Sequence, residues 1–249
     1  MPTLTSKLKP VSGFSHYLHL GINSVLPFVI FVLVRTNFSY LALLLILLSK
    51  WRMFVMRPRF WLANIRANAI DILFGVSTVV FMNATTLASW QLIWAGIYFV
   101  WLIWIKPGSS QLMTSTQALF GQTVALTALF LGWGDAALFW LVLAAWAITN
   151  LSARHFFGGF EESHAPMYAN IWAFFGGALT WVLGHWLLFY GYIAQPTLIL
   201  TLIGFGLASM YYMNERDTLS RLIRRQLVFV MVAIVTVIIV FSDWGDKTI

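Results

Sequence analysis

The sequence predicts an all-α protein: a polytopic transmembrane helix bundle of about nine spans, N-terminus cytoplasmic and C-terminus outside. Three observations predict it. Of the 249 residues, 60% are hydrophobic and 9% charged, against roughly 45–50% apolar and about 25% charged in a soluble domain. Apolar runs such as YLALLLILL, ALFWLVLAAWAI and LVFVMVAIVTVIIVF recur along the whole chain. Lysine and arginine also fall unevenly between loops. With the N-terminus inside, 13 lie on the cytoplasmic side and only Arg35 and Lys247 outside, as the positive-inside rule requires. A bacterial plasma (inner) membrane is the expected location.

A spanning helix needs about 20 mostly apolar residues, with a range of roughly 17–25. The spans read as 18–34, 39–56, 70–87, 88–105, 111–132, 136–153, 168–191, 196–213 and 226–242. No stretch between them is long enough for a soluble domain, so residues 1–249 read as one integral membrane domain. The polar first 16 residues lack a signal-peptide pattern, which makes the first span a retained anchor. The second span is the weakest. Its clean core, Phe38 to Ser49, has 12 residues, about 18 Å of helix. It crosses only by running on to Met56, with Lys50 and Arg52 snorkelling to the headgroups; otherwise it forms a re-entrant hairpin with the first.

Between spans two and three, RPRFWLANIRANAID reads as an interfacial helix over 58–69. Pro58 suits a first helical position. Trp61, Ile65 and Ala69 share one side and Arg59 and Arg66 another, so the helix is expected to lie in the membrane surface. Arg59 and Arg66, with Arg221, Arg224 and Arg225 before the last span, are candidates to hold anionic lipid headgroups on the cytoplasmic side, or simply to anchor helix ends. Asp217 stands four before Arg221, the spacing of a helical ion pair.

Small residues mark helix contacts in lipid. Ala173, Gly177, Gly184 and Gly191 form a stripe on the seventh span. Gly204 and Ala208 pair on the eighth, and Thr114, Gln117, Ala118, Gly121, Ala125 and Ala128 share a face of the fifth. These three helices are expected at the packed centre. Trp90, Trp94, Trp101 and Trp104 share a side of the fourth span, as a lipid-facing or packing stripe or as a stacking wall for a ligand.

Polar residues at membrane depth are candidate functional groups. Gln117, Gln122 and His185 are expected to line a small polar cavity or to bond between helices, and Asn150 joins them as a candidate. No charged residue falls clearly at the midplane. Asp71, one turn inside the cytoplasmic edge of the third span, is the nearest, and this argues against a proton-coupled carrier.

The stretch ARHFFGGFEESHAP, Ala153 to Pro166, is the densest in chemistry. His155, Glu161 or Glu162, and His164 offer two imidazoles and a carboxylate, a donor set adequate for a divalent metal such as zinc or iron. Gly158 and Gly159 permit a reversal that would bring the histidines together. The spacing matches no helical ligand motif. The competing reading is an interfacial turn in which Phe156, Phe157 and Phe160 dip into lipid and Pro166 starts the next helix.

Other classes lack their parts. With no cysteine there is no disulfide, thiolate ligand or iron–sulfur cluster. No phosphate-binding loop suggests a nucleotide, no mid-helix lysine suggests retinal, and the net charge of +7 borders the spans instead of forming a face for nucleic acid. Three function classes remain: a small permease or channel-like carrier, an accessory or assembly subunit with a membrane-protein partner, and a lipid-active enzyme using the 155–164 loop.

Overall fold

The computed structural model describes residues 14–50 and 57–244, with side chains from Gly21 onward. Among the described residues the chain is all-helical apart from one small hairpin. The helices are α1 (Phe14–Arg35), α2 (Ser39–Ser49), α3 (Trp61–Asn83), α4 (Ala88–Val100), α5 (Gln111–Trp133), α6 (Leu138–Gly159), α7 (Ala165–Leu183), α8 (Gln195–Glu215) and α9 (Arg221–Phe241). A π-turn, Trp101–Ile105, extends α4, and single 3-10 turns, Pro58–Phe60 and Gly184–Trp186, precede α3 and follow α7. β1 (Phe189–Tyr190) and β2 (Ile193–Ala194) pair antiparallel.

Four helices are long and apolar enough to cross a membrane: Pro58–Asn83, Ala88–Ile105, α8 and α9. The described Gly21–Arg35 and α2 are shorter apolar helices. α5, α6 and α7 have 23, 22 and 19 residues, and each carries polar residues within its length.

The helices run up and down. Ser39 Oγ donates to Asn83 Oδ1 at one end of the α2–α3 pair, and Lys50 meets Asp71 further along, so the two are antiparallel. α5 and α6 meet through Gln117 and His155, α6 and α7 through Asn150 and Asn170, and α8 and α9 through Asn214 and Arg224. Arg57, Arg59, Lys106, Arg154, Arg216 and the α9 arginines therefore gather at one end of the bundle, with Arg35 at the other. Ser110 and Ser220 cap α5 and α9, each hydroxyl accepting from an N–H three residues on at 3.2 Å, which satisfies a donor the helix leaves free.

Two cores form. One joins α1 to α4 around Ile30, Ile46, Phe74 and Tyr98. The other joins α5 to α8, with an aliphatic part around Leu126 and Leu200 and an aromatic part around Phe156, Trp172 and Phe205. α3 packs on α5 and links the two.

Several expectations change. The interfacial helix over 58–69 is not a separate element: after one 3-10 turn the chain enters α3 at Trp61 and stays helical to Asn83. Nothing in this segment breaks a helix; it holds no proline, and Asn68 Nδ2 bonds back to Asn64 O at 2.9 Å. The second span is described only as α2, with 11 residues, because 51–56 lie outside the described residues, as do Lys7, Lys9 and Lys247. The seventh span stops at Leu183, well short of 191, and Gly191 instead turns the hairpin with φ +64°. Asp217 has φ +55° in the turn before α9, so it forms no helical pair with Arg221.

The packed centre also differs. α7 packs most extensively on α6, not on α8. Close approaches occur at the expected Gly204, against Trp172 of α7, at the expected Gly184, where a Cβ would sit 2.6 Å from Leu138, and at Gly176, one residue off the expected stripe, where a Cβ would sit 2.6 Å from Thr149 Oγ1. Thr149 is fully buried and stiff at χ1. Gly176→Ala is expected to destabilise the protein by about 1–3 kcal/mol through overpacking, read as a lower thermal midpoint in detergent. Gly158→Ala, where a Cβ meets nothing within 4 Å, should leave the midpoint unchanged.

Candidate functional site

The most unusual chemistry among the described residues surrounds Asp71. The residue stands ten positions after Trp61 and twelve before Asn83, at the middle of the 23-residue α3. Both described salt bridges end on it: Lys50 Nζ and Lys106 Nζ each lie 3.0 Å from Asp71 Oδ2. Trp101 Nε1 donates to the other oxygen, Oδ1, at 3.2 Å. The Lys50 side chain is 7% exposed, Asp71 12% and Lys106 24%.

Local structure explains how two further segments reach the carboxylate on α3. α2 stops at Ser49, so Lys50 leaves the helix inside the bundle instead of continuing past Asp71. In an α-helix, residues five apart diverge by about 140°. The π-turn closes Lys106 N onto Trp101 O at 2.9 Å, an i→i+5 bond that brings residue 106 back over residue 101. Trp101 and Lys106 therefore face Asp71 together. Phe74, one turn along α3, stacks on the Trp101 ring at 3.9 Å and 11°, which holds the indole in place. Tyr98 is fully buried beside this cluster, with its hydroxyl lacking a hydrogen-bond partner.

A second polar group adjoins the first. Gln117 Nε2 donates to Ile105 O at 2.6 Å and Gly108 O at 2.9 Å, and its Oε1 lies 2.8 Å from His155 Nε2. The amide thus satisfies carbonyls at the end of the π-turn that carries Lys106, and it positions His155 of α6. Five residues on, Gln122 is fully buried and neither of its amide atoms has a hydrogen-bond partner. Two ammoniums and one carboxylate leave the Asp71 cluster with one surplus positive charge, and a buried surplus is strongly disfavoured unless something offsets it.

The expected sites fare unevenly. Gln117 adjoins this cluster through the π-turn carbonyls, Gln122 is buried elsewhere on α5, and His185 does not join them. It follows the end of α7, in the Gly184–Trp186 turn at the opposite end of the bundle, exposed and bonded to Trp181 O at 2.8 Å. Asn150 meets Asn170 Oδ1 at 2.8 Å at an exposed position. The tryptophan stripe divides. Trp101 is 1% exposed, Trp94 stacks on Phe81, and Trp90 and Trp104 are exposed.

The expected metal set does not assemble. Among the described residues no three of His, Asp and Glu are grouped to hold a metal ion. α6 runs through Gly158 and Gly159, and the reversal comes later, at Glu161 with φ +55°. Glu162 N bonds Phe157 O at 3.2 Å, closing the helix end. Gly159 instead admits Thr114, whose Cγ2 lies 2.6 Å from where a Cβ would be. His155 is thereby left on α6 against Gln117, while Glu162 Oε1 accepts from His164 N at 3.2 Å and Glu161 is exposed. Phe156 and Phe157 turn inward, 3% and 6% exposed, and Phe160 stacks on Tyr212 at 3.9 Å. Pro166 does start α7. Arg59, Arg66, Arg221, Arg224 and Arg225 are all exposed near the basic end.

The chain matches no protein-family model, no curated protein and no solved structure.

Removing one partner of a buried ion pair costs about 3–5 kcal/mol, whereas exchanging the whole set for apolar residues is often neutral. Asp71→Asn is therefore expected to lower the thermal midpoint strongly, since it leaves two ammoniums facing each other. The triple variant Lys50→Met, Asp71→Leu, Lys106→Met should be more stable than Asp71→Asn alone. A triple variant as unstable as the single one would mean that packing, not charge, sets the value of the cluster.

Proposed function

We propose that the chain is a nine-span protein of a bacterial plasma membrane, N-terminus cytoplasmic and C-terminus outside, and that it acts as a small permease or channel-like carrier. The Lys50–Asp71–Lys106 cluster is its solute-contacting site. The observation that carries this reading is a salt-bridged carboxylate at the middle of a helix long and apolar enough to cross a membrane. Buried charges on membrane-spanning helices are costly and are retained mostly where solutes or ions pass.

Further observations support it. The surplus positive charge suits an anionic solute. Gln122, buried with its amide atoms unpaired, is the kind of group that water serves. The up-and-down order of the helices and the gathering of basic residues at one end agree with nine spans and a basic cytoplasmic face.

A second reading, an accessory subunit with a membrane-protein partner, is favoured by one feature. Among the described helices α9 packs mainly along α8, and Ile238 is its sole buried residue. A partner helix on that face would co-purify on mild extraction.

The carrier reading predicts an aqueous path along α5. The cysteine-free chain allows Gln117→Cys and Gln122→Cys to be treated singly with a membrane-impermeant maleimide in sealed vesicles of either orientation. Both are expected to react, while Leu126→Cys, one turn deeper, stays unlabelled. If both glutamine positions react only after denaturation, the carrier reading fails. A phosphatase reporter that matures only outside the cytoplasm, fused after Ile249, is expected to be active.

A further inference from the structure

We propose that a groove between α5 and α8 holds an acyl chain of an anionic phospholipid, whose headgroup is gripped by Arg216 and Arg224. This goes beyond the carrier reading and rests only on the bundle lying in a bilayer.

The groove has a volume of about 550 Å³, within the roughly 300–1,000 Å³ of small-molecule sites. Its walls are sorted by polarity. Leu119, Phe156 and Phe205 form the deeper part, toward the middle of α5 and α8. Ser115, Thr116 and Thr218 stand nearer the helix ends, and Arg216 closes that end. Leu112 and Phe120 are exposed at the lip, so the groove opens sideways from the bundle. A soluble ligand would have to enter through apolar surface. An amphiphile already in the bilayer would not.

The cationic end is built and uncompensated. Arg216 Nη2 donates to Gln111 Oε1 at 2.6 Å, and its Cζ lies 5.9 Å from the centre of the Phe160 ring. Arg224 Nη2 donates to Asn214 Oδ1 at 3.3 Å. Among the described residues no carboxylate lies within ion-pair distance of either guanidinium, although Glu215 and Asp217 flank Arg216 in sequence. Each guanidinium has five N–H donors in a fork that fits phosphate oxygens. One side-chain bond holds each in place, and both residues are exposed. An anionic headgroup at this level meets paired charge, and its chain lies along Phe120 and Phe205. A zwitterionic lipid gains the apolar contact but carries its own cation into the arginine pair.

The test uses the full chain in nanodiscs of phosphatidylcholine. A minor fraction of the lipid is phosphatidylglycerol with a photoactivatable diazirine on one acyl chain, compared with the matching phosphatidylcholine probe. Cross-links from the phosphatidylglycerol probe are expected in residues 112–120 and 205–213, several-fold above the phosphatidylcholine probe and reduced by unlabelled phosphatidylglycerol. The double variant Arg216→Ala, Arg224→Ala should reduce them to the level of the zwitterionic probe. Ser209→Trp, which fills the groove from an exposed position, should abolish them with the thermal midpoint retained. Equal labelling by the two probes, unchanged by the arginine variant, would overturn the proposal, as would cross-links spread evenly over the outer faces of α4 and α9.

Discussion

The carboxylate of Asp71 is the point on which the first half of the bundle is organised. A lone ionised group among helices is opposed by a desolvation cost of several kcal/mol after relaxation, and paired charges offset it only with close geometry and satisfied hydrogen bonds. Here the geometry comes from backbone irregularities. α2 ends early so that Lys50 arrives from one side, and α4 changes to a π-turn so that Lys106 and Trp101 arrive from another. Gln117 then takes up the carbonyls at the end of that turn. A regular α4 would have turned Lys106 away from Trp101, so the π-turn and the carboxylate depend on each other.

Much of the all-helical fold was legible in the sequence, because helices long and apolar enough to cross a membrane leave long apolar runs, and four of the described helices are of that kind. Where the reading failed, it failed at boundaries. Dividing 58–69 from 70–87 put Asp71 near a helix edge and made it look like a surface residue. Starting the helix at Trp61 puts the same residue at its centre. The signal was present: Pro58 marks a helix start, and no breaker follows before Asn83. Likewise the shortness of the second apolar core was read as a weakness in the span. Lys50, at the end of α2, is held inside by its bond to Asp71. The π-turn had no sequence signal to find, since hydrogen-bond register depends on what Trp101 and Lys106 meet in three dimensions.

The loop from Ala153 to Pro166 failed for a different reason. Its residue types suited a metal, but types do not fix direction. Two glycines in a row suggested a turn, yet Gly158 and Gly159 remain helical because Thr114 packs against Gly159, and small residues inside a helix often serve a close approach. Extending α6 by one turn sets His155 on α6 against Gln117 of α5 and leaves His164 beyond the helix end. His155 became a partner of Gln117, and through Gln117 a neighbour of the charge cluster. The residue that looked like a ligand on the surface belongs to the buried network.

That network is unbalanced, and the imbalance bears on what it is for. A structural ion pair is best made neutral, since a second ammonium adds desolvation cost and repels the first. A single lysine with Trp101 would already satisfy both oxygens of Asp71. The second lysine comes from the end of the π-turn, at the more exposed side, where it is 24% accessible against 7% for Lys50. The surplus charge therefore sits at the edge nearest the basic end of the bundle. A purely structural cluster would gain from replacing Lys106 with an apolar residue. A site that receives an anion from that side needs the second ammonium, because once the anion has arrived its charge makes the set neutral. The arrangement of charge, more than its presence, is what supports the proposed carrier reading.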